Sequence, residues 1–230
     1  MPSHLAATLY IASTWILPAI IAITCLEAPG RVVARRFGDD TAWRLGRVSF
    51  NPLKHIDPFG TIVLPGLLLA SGAPFLFGYA KPVPVNFRGL RNPRRDMVWV
   101  AVAGPGINLA LATLAALAFH LVVYLPDTTS PWIALNLKNA VVINVLLAVF
   151  NMLPLPPLDG GRVAVGLLPN FLARPLAQLE PFGMLILIAL LFLIPLLGEQ
   201  LGIDLSIVSH VVSVVTGAII DAIVWLTGNA

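Results

Sequence analysis

Charge is scarce in this 230-residue chain: 11% of it is Asp, Glu, Lys or Arg, while 58% is hydrophobic. A water-soluble domain carries about 25% charged residues, so too few are present to coat a globule facing water. Cysteine is almost missing. Cys25 stands alone, which excludes an internal disulfide framework and any metal site built from several thiolates. Histidine is nearly as rare. His4, His55, His120 and His210 are the whole set, and no two of them are spaced as H-x-x-x-H. No basic region precedes the N-terminal apolar stretch, so that stretch reads as a retained span and not as a cleaved signal. Nor does any segment interleave aromatic and basic residues as a nucleic-acid binder would.

What abounds is apolar sequence. Five runs reach or approach the roughly 20 residues that cross a bilayer: 4–28, 97–125, 132–153, 182–197 and 205–226. A sixth, 61–79, is interrupted by Gly66, Gly72 and Pro74. The charges on either side decide its course. Arg31, Arg35, Arg36, Arg44, Arg47 and Lys54 precede it; Lys81, Arg88, Arg91, Arg94 and Arg95 follow it. If it spanned, these two basic loops would face opposite compartments, against the preference of Lys and Arg for the cytoplasmic side. A re-entrant course keeps both inside. Arg162 and Arg174 then fall inside too, and the loops 126–131 and 198–204, without Lys or Arg, fall outside.

The expectation is an all-α polytopic membrane protein. It has about five transmembrane helices, a re-entrant segment, and a short β-like insertion at Arg47-Val-Ser-Phe50 between the first span and that segment. Residues 1–230 make one membrane-embedded domain, with the N-terminus outside and the C-terminus in the cytoplasm. In this arrangement Glu27 ends the first span and Asp159 follows the third on the same side. Two carboxylates at similar depth can share a site; with six spans they cannot.

Three stretches can carry chemistry. In Asn151-Met-Leu-Pro-Leu-Pro-Pro-Leu-Asp-Gly-Gly161, prolines end the preceding helix because they lack the N–H and clash with the previous turn. Asp159 is left near the membrane surface, where it is either a functional ionisable group or a solvated turn residue. In Ala103-Gly-Pro-Gly-Ile-Asn-Leu109, Gly104 and Gly106 allow a neighbouring helix to approach closely. Asn108, with Asn144 and Asn151, either bonds across helices or lines a polar cavity. In Asn51-Pro-Leu-Lys-His-Ile-Asp-Pro-Phe-Gly60, His55 is either a ligand or a hydrogen-bonded loop residue in a compact turn.

These stretches have further company in a fixed order. Gly38-Asp-Asp-Thr-Ala42, Leu45-Gly-Arg47, Asn51 through Thr61, Ala80-Lys-Pro-Val-Pro-Val-Asn86, Asn92-Pro-Arg-Arg-Asp96, Ala103-Gly-Pro105 with Asn108, and Asn151 through Gly161 together resemble the site-2 protease family. These are intramembrane zinc metalloproteases, and the likeness is to their compact prokaryotic form. It covers about residues 10–170, and 180–227 supply two additional spans of matching character. The resemblance implies an integral protein of a prokaryotic cell membrane, with membrane lipid around it and a transmembrane protein as substrate. It also implies peptide-bond hydrolysis with zinc as cofactor. In the family the first matched helix carries H-E-x-x-H, whose histidines bind zinc while the glutamate acts as general base; the aspartate of the L-D-G turn is the third ligand. Carried over, Glu27 is the catalytic base and Asp159 a metal ligand, while Asn108, Asn151 and His55 are candidates to line the cavity.

The same alignment sets Leu26 and Gly30 where the two histidines belong. Neither supplies a donor atom, and Pro29 is expected to kink or end the helix near Glu27. Three readings follow: a metalloprotease with replacement ligands; a non-catalytic homologue that binds membrane segments without cutting them; or a transporter or channel component with the asparagines along its path. No inverted repeat supports the third.

Overall fold

The computed structural model describes residues 4–46 and 89–229, together with Val63 and Asn86. Every regular element among them is helical: α1 (His4–Arg36), α2 (Thr41–Arg44), α3 (Pro93–Phe119), α4 (Ser130–Asn151), α5 (Asp159–Leu167), α6 (Asn170–Gln178), α7 (Gly183–Ile188), α8 (Ile194–Leu201) and α9 (Ile207–Leu226). Five helical stretches are long and apolar enough to cross a membrane: Leu9–Arg36, Pro93–Phe119, Ser130–Asn151, Asn170–Leu201 and Ile207–Leu226. The all-α polytopic class is borne out. The β-like 47–50 and, Val63 apart, the re-entrant 61–79 lie outside the described residues.

The first span departs from expectation. Pro29 neither ends it nor marks its boundary, because α1 runs on to Arg36 through both Pro18 and Pro29. Glu27 is therefore well inside a helix, and Arg31, Arg35 and Arg36 belong to that helix and not to a loop. Membrane helices tolerate proline where a neighbour takes over the backbone group it frees. Pro18 shows how. It leaves the Thr14 carbonyl without its intrahelical N–H, and Asn139 Nδ2 of α4 donates to that carbonyl (3.1 Å) and to Thr14 Oγ1 (3.0 Å). Trp132 Nε1 adds a bond to Ser13 Oγ at 2.8 Å.

The second span begins earlier than its apolar run, at Pro93, where the missing N–H is harmless and the fixed φ suits a first helical turn. Asp96 Oδ2 accepts the Asn92 N–H at 2.8 Å, so the start of α3 is tied by its own first-turn acid. Close by, Asp39 is 5% exposed and accepts two backbone N–H groups, from Thr41 (3.0 Å) and Asn86 (2.8 Å). The Arg91 N–H donates to the Phe37 carbonyl at 2.9 Å. The Gly-Asp-Asp-Thr motif is thus a clasp that joins the end of α1 to the approach of α3. Gly38 belongs there because its φ is +112°, a region that L side chains rarely adopt.

The centre of the molecule is the packing of α1, α3 and α4, with α9 against α4. Lipid offers no hydrophobic drive between helices, so they associate through small residues and close backbones. Ala112, Ala115 and Ala116 of α3 meet Val141, Val145 and Val149 of α4, with Val212 and Ile223 of α9 completing the cluster. Asn229 Nδ2 donates to the Ala116 carbonyl (2.9 Å) and His120 Nε2 to the Thr227 carbonyl (2.7 Å), pinning the end of α9 to α3. At the other end of α9, the Ser206 N–H donates to Asp204 Oδ1 at 2.9 Å, and this bond holds the Asp204 carboxyl below its ordinary range.

α1 and α3 meet almost backbone to backbone. A methyl group on Gly104 would strike the Leu26 carbonyl oxygen, and one on Gly30 would sit 3.0 Å from the Val100 carbonyl oxygen. Gly106, by contrast, faces open space. Gly104→Val should therefore destabilise the protein by about 1–3 kcal/mol through overpacking, read as a lowered unfolding midpoint in detergent. Gly106→Ala should leave that midpoint unchanged or raise it slightly; equal losses from both would refute the close approach.

Candidate functional site

Asp159 stands at the mouth of a tightly folded turn. α4 stops at Asn151, whose Nδ2 donates to the Leu147 carbonyl one turn back at 2.9 Å. The chain then doubles over so closely that only glycine fits at three places. A methyl group on Gly160 would meet the carbonyls of Met152 and Leu153, one on Gly161 the backbone of Leu155 and Pro156, and one on Gly183 the Pro156 carbonyl. The prolines, Asp159 and the glycine pair are one folded unit. Asp159 is the first residue of α5, where the N-terminal end of the helix dipole favours an anion. It is half-buried and sits 3.5 Å from Arg162 Nη1, and Arg162 Nη2 in turn lies 3.6 Å from Glu180 Oε1. It is thus no simple solvated turn residue.

Glu27 belongs to the α1–α3 seam. Its side chain lies outside the described residues, but its position on α1 does not. Thr24, Arg31 and Ala34 share that helix face at spacings of three, four and seven, and they are 5%, 3% and 1% exposed. Arg31 was counted from sequence among the loop cations. It is instead a buried helical residue with a partner, as a guanidinium far from water must be. The signal for it was its place one turn after Glu27, once Pro29 is allowed inside the helix.

Asn108 lies one turn beyond Gly104 on α3. It is 0% exposed, and among the described residues neither its Oδ1 nor its Nδ2 has a hydrogen-bond partner. Leaving such an amide unpaired costs about 1–3 kcal/mol, so a polar group is held ready on α3, one turn beyond its contact with Leu26. His55 lies outside the described residues. A groove of about 300 Å³ runs beside the proline turn, walled by Pro105, Leu109, Val149, Met152, Pro154 and Val215.

The two carboxylates stand on elements with a common neighbour. α3 meets α1 at Val100 and Gly104, and meets α5 where Gly166 packs on Val98 and the Arg94 carbonyl. The positions expected to hold a metal do not fit that task. Leu26 and Gly30 carry no donor atom, and the space where a side chain at position 30 would begin faces the α3 backbone. Among the described residues no three His, Cys, Asp or Glu side chains converge; the Glu27 side chain and His55 lie outside them.

Comparison with known proteins decides the family. The sequence is 39% identical over 196 residues to the protein named "Putative zinc metalloprotease YwhC" of Bacillus subtilis (strain 168), covering 79% of this chain and 80% of that one. It is 34% identical over 193 residues to "Putative zinc metalloprotease Rip2" of Mycobacterium tuberculosis (strain H37Rv), covering 81% and 71%. The profile of Peptidase family M50 matches residues 122–194. The chain belongs to peptidase family M50, the site-2 proteases. No solved structure matches it. Membership accounts for the motif order and for the membrane fold, and the relatives' names attach zinc to the family.

The donor set at residues 26–30 has a measurable consequence. Zinc well below one atom per purified chain, unchanged in Asp159→Asn, would show that the family's metal site is not formed here. Stoichiometric zinc that disappears in Asp159→Asn would show that ligands from elsewhere complete the site.

Proposed function

We propose that this chain receives transmembrane segments of other proteins in a prokaryotic cell membrane, as a site-2-protease-like protein with its N-terminus outside and its C-terminus in the cytoplasm. The family's reaction, hydrolysis of a peptide bond in such a segment, is the activity assigned to it. Glu27 takes the part of general base and Asp159 that of metal ligand, with Asn108, Asn151 and His55 lining the cavity. The observation that carries this reading is identity of 39% spread over 79% of the chain to a relative named as a zinc metalloprotease. The apolar groove beside the proline turn supports it, since a membrane-embedded segment presents apolar side chains to such a wall. Asn108 supports it too. An unpaired amide in the seam suits a segment whose backbone has opened and has hydrogen bonds to give and to accept.

One observation favours a second reading, in which the scaffold binds the segment and does not cut it. Both positions that hold zinc in the family are donor-free here, and both pack against α3. Leu and Gly cannot be turned into ligands by any rearrangement of side chains.

A single experiment separates the two. The purified chain is reconstituted with a model transmembrane substrate carrying a photo-crosslinker, and cleavage and crosslinking are read together. Proteolysis abolished by Glu27→Gln and by a chelator supports the enzyme. Crosslinking without cleavage, weakened by Leu109→Trp in the groove wall, supports the binding scaffold. Neither cleavage nor crosslinking would overturn both.

A further inference from the structure

A second groove, of about 680 Å³, opens where the start of α3 meets the α5–α6 turn, and it is lined by Arg94, Arg95, Val98, Trp99, Leu167 and Pro169. Its two arginines are not equivalent. Arg94 is committed to the fold, donating from Nε to the Gly166 carbonyl (3.1 Å) and from Nη1 to Asn170 Oδ1 (2.8 Å). Arg95 is exposed and makes no hydrogen bond or ion pair among the described residues. Around it the surface is apolar and uncovered: Trp99 is 56% exposed, Leu167 71% and Phe171 73%.

Depth decides what such a surface meets. α3 is a membrane span that begins at Pro93, so Arg95 lies in its first turn. Trp99 lies one turn further in, about 6 Å along the axis by the helical rise. Tryptophan and arginine in that order mark the boundary between headgroups and acyl chains. The start of the Asn170–Leu201 stretch continues the pattern, with exposed Phe171 and Leu172 beside exposed Arg174.

We propose that this groove is a binding site for an anionic phospholipid. The lipid phosphate pairs with the Arg95 guanidinium, whose planar fork matches phosphate oxygens in a bidentate manner, and an acyl chain lies along Val98, Trp99 and Leu167. A free phosphate would satisfy Arg95 but would leave the apolar wall uncovered. Arg94 fixes the α5–α6 turn as the far wall of the groove. The site is independent of whether the chain cuts its substrate.

The test uses the full chain in detergent, titrated with phosphatidylglycerol and with phosphatidylcholine of the same acyl length, and read by native mass spectrometry. Wild type should prefer phosphatidylglycerol, and Arg95→Gln should lose about fivefold of that preference, as expected for one basic residue at the interface. Arg95→Lys should lose less. Trp99→Ala should weaken both lipids alike. Arg91→Gln, which removes an exposed charge outside the groove, should leave the preference unaltered. Equal binding of the two lipids by wild type would overturn the proposal. So would an equal loss in Arg91→Gln, which signals diffuse surface charge, or displacement of phosphatidylglycerol by millimolar inorganic phosphate, which signals a free-anion site.

Discussion

The rest of the structure depends on the backbone contact between α1 and α3. Gly104 lets the Leu26 carbonyl come up against α3, and Gly30 does the same for the Val100 carbonyl on α1. Inside a membrane such proximity is a main source of helix association, because the lipid is as apolar as the side chains it would replace. Once α1 and α3 are locked, α4 closes the trio through Asn139 on Thr14 and Trp132 on Ser13. α5 then finds its seat on the same α3, at Val98 and Arg94. The turn that carries Glu27, the amide of Asn108 and the wall under Asp159 are all positioned by that one crossing.

Much of this was legible in the residues. Apolar run length announced the five spans, and glycine in Ala103-Gly-Pro-Gly announced a close helix crossing. The proline-rich turn before Asp159 announced a chain reversal. Other features hid for physical reasons. Pro29 reads as a helix terminator under the rules for soluble proteins, yet α1 passes through it. Arg31 then moves from a basic loop to a buried face, a placement that charge counting cannot reveal. The Gly38-Asp-Asp-Thr motif appeared as a family signature, and only the bonds from Asn86 and Thr41 to Asp39 give it a job. The pairing of Asp159 with Arg162, one helical turn on, waited on α5 being recognised as a helix.

The site belongs to the scaffold of peptidase family M50, with Leu26 and Gly30 on either side of Glu27. Asp159 sits at a helix N-terminus with Arg162 and Glu180 in a chain of ion pairs. Leu26 and Gly30 do constructive packing on the opposite element. The seam around them is closely packed, while Asn108 has no hydrogen-bond partner among the described residues.

The measurement that bears most directly on this account restores the missing donors. Zinc content is compared between the wild-type chain and the double variant Leu26→His with Gly30→His, each with and without Asp159→Asn, with folding checked by its unfolding midpoint. If the scaffold is that of the family and lacks only its donors, the double variant gains zinc that Asp159→Asn removes, and the wild type holds little. A folded double variant that takes up no zinc, or a wild type that already holds one atom per chain, would contradict it.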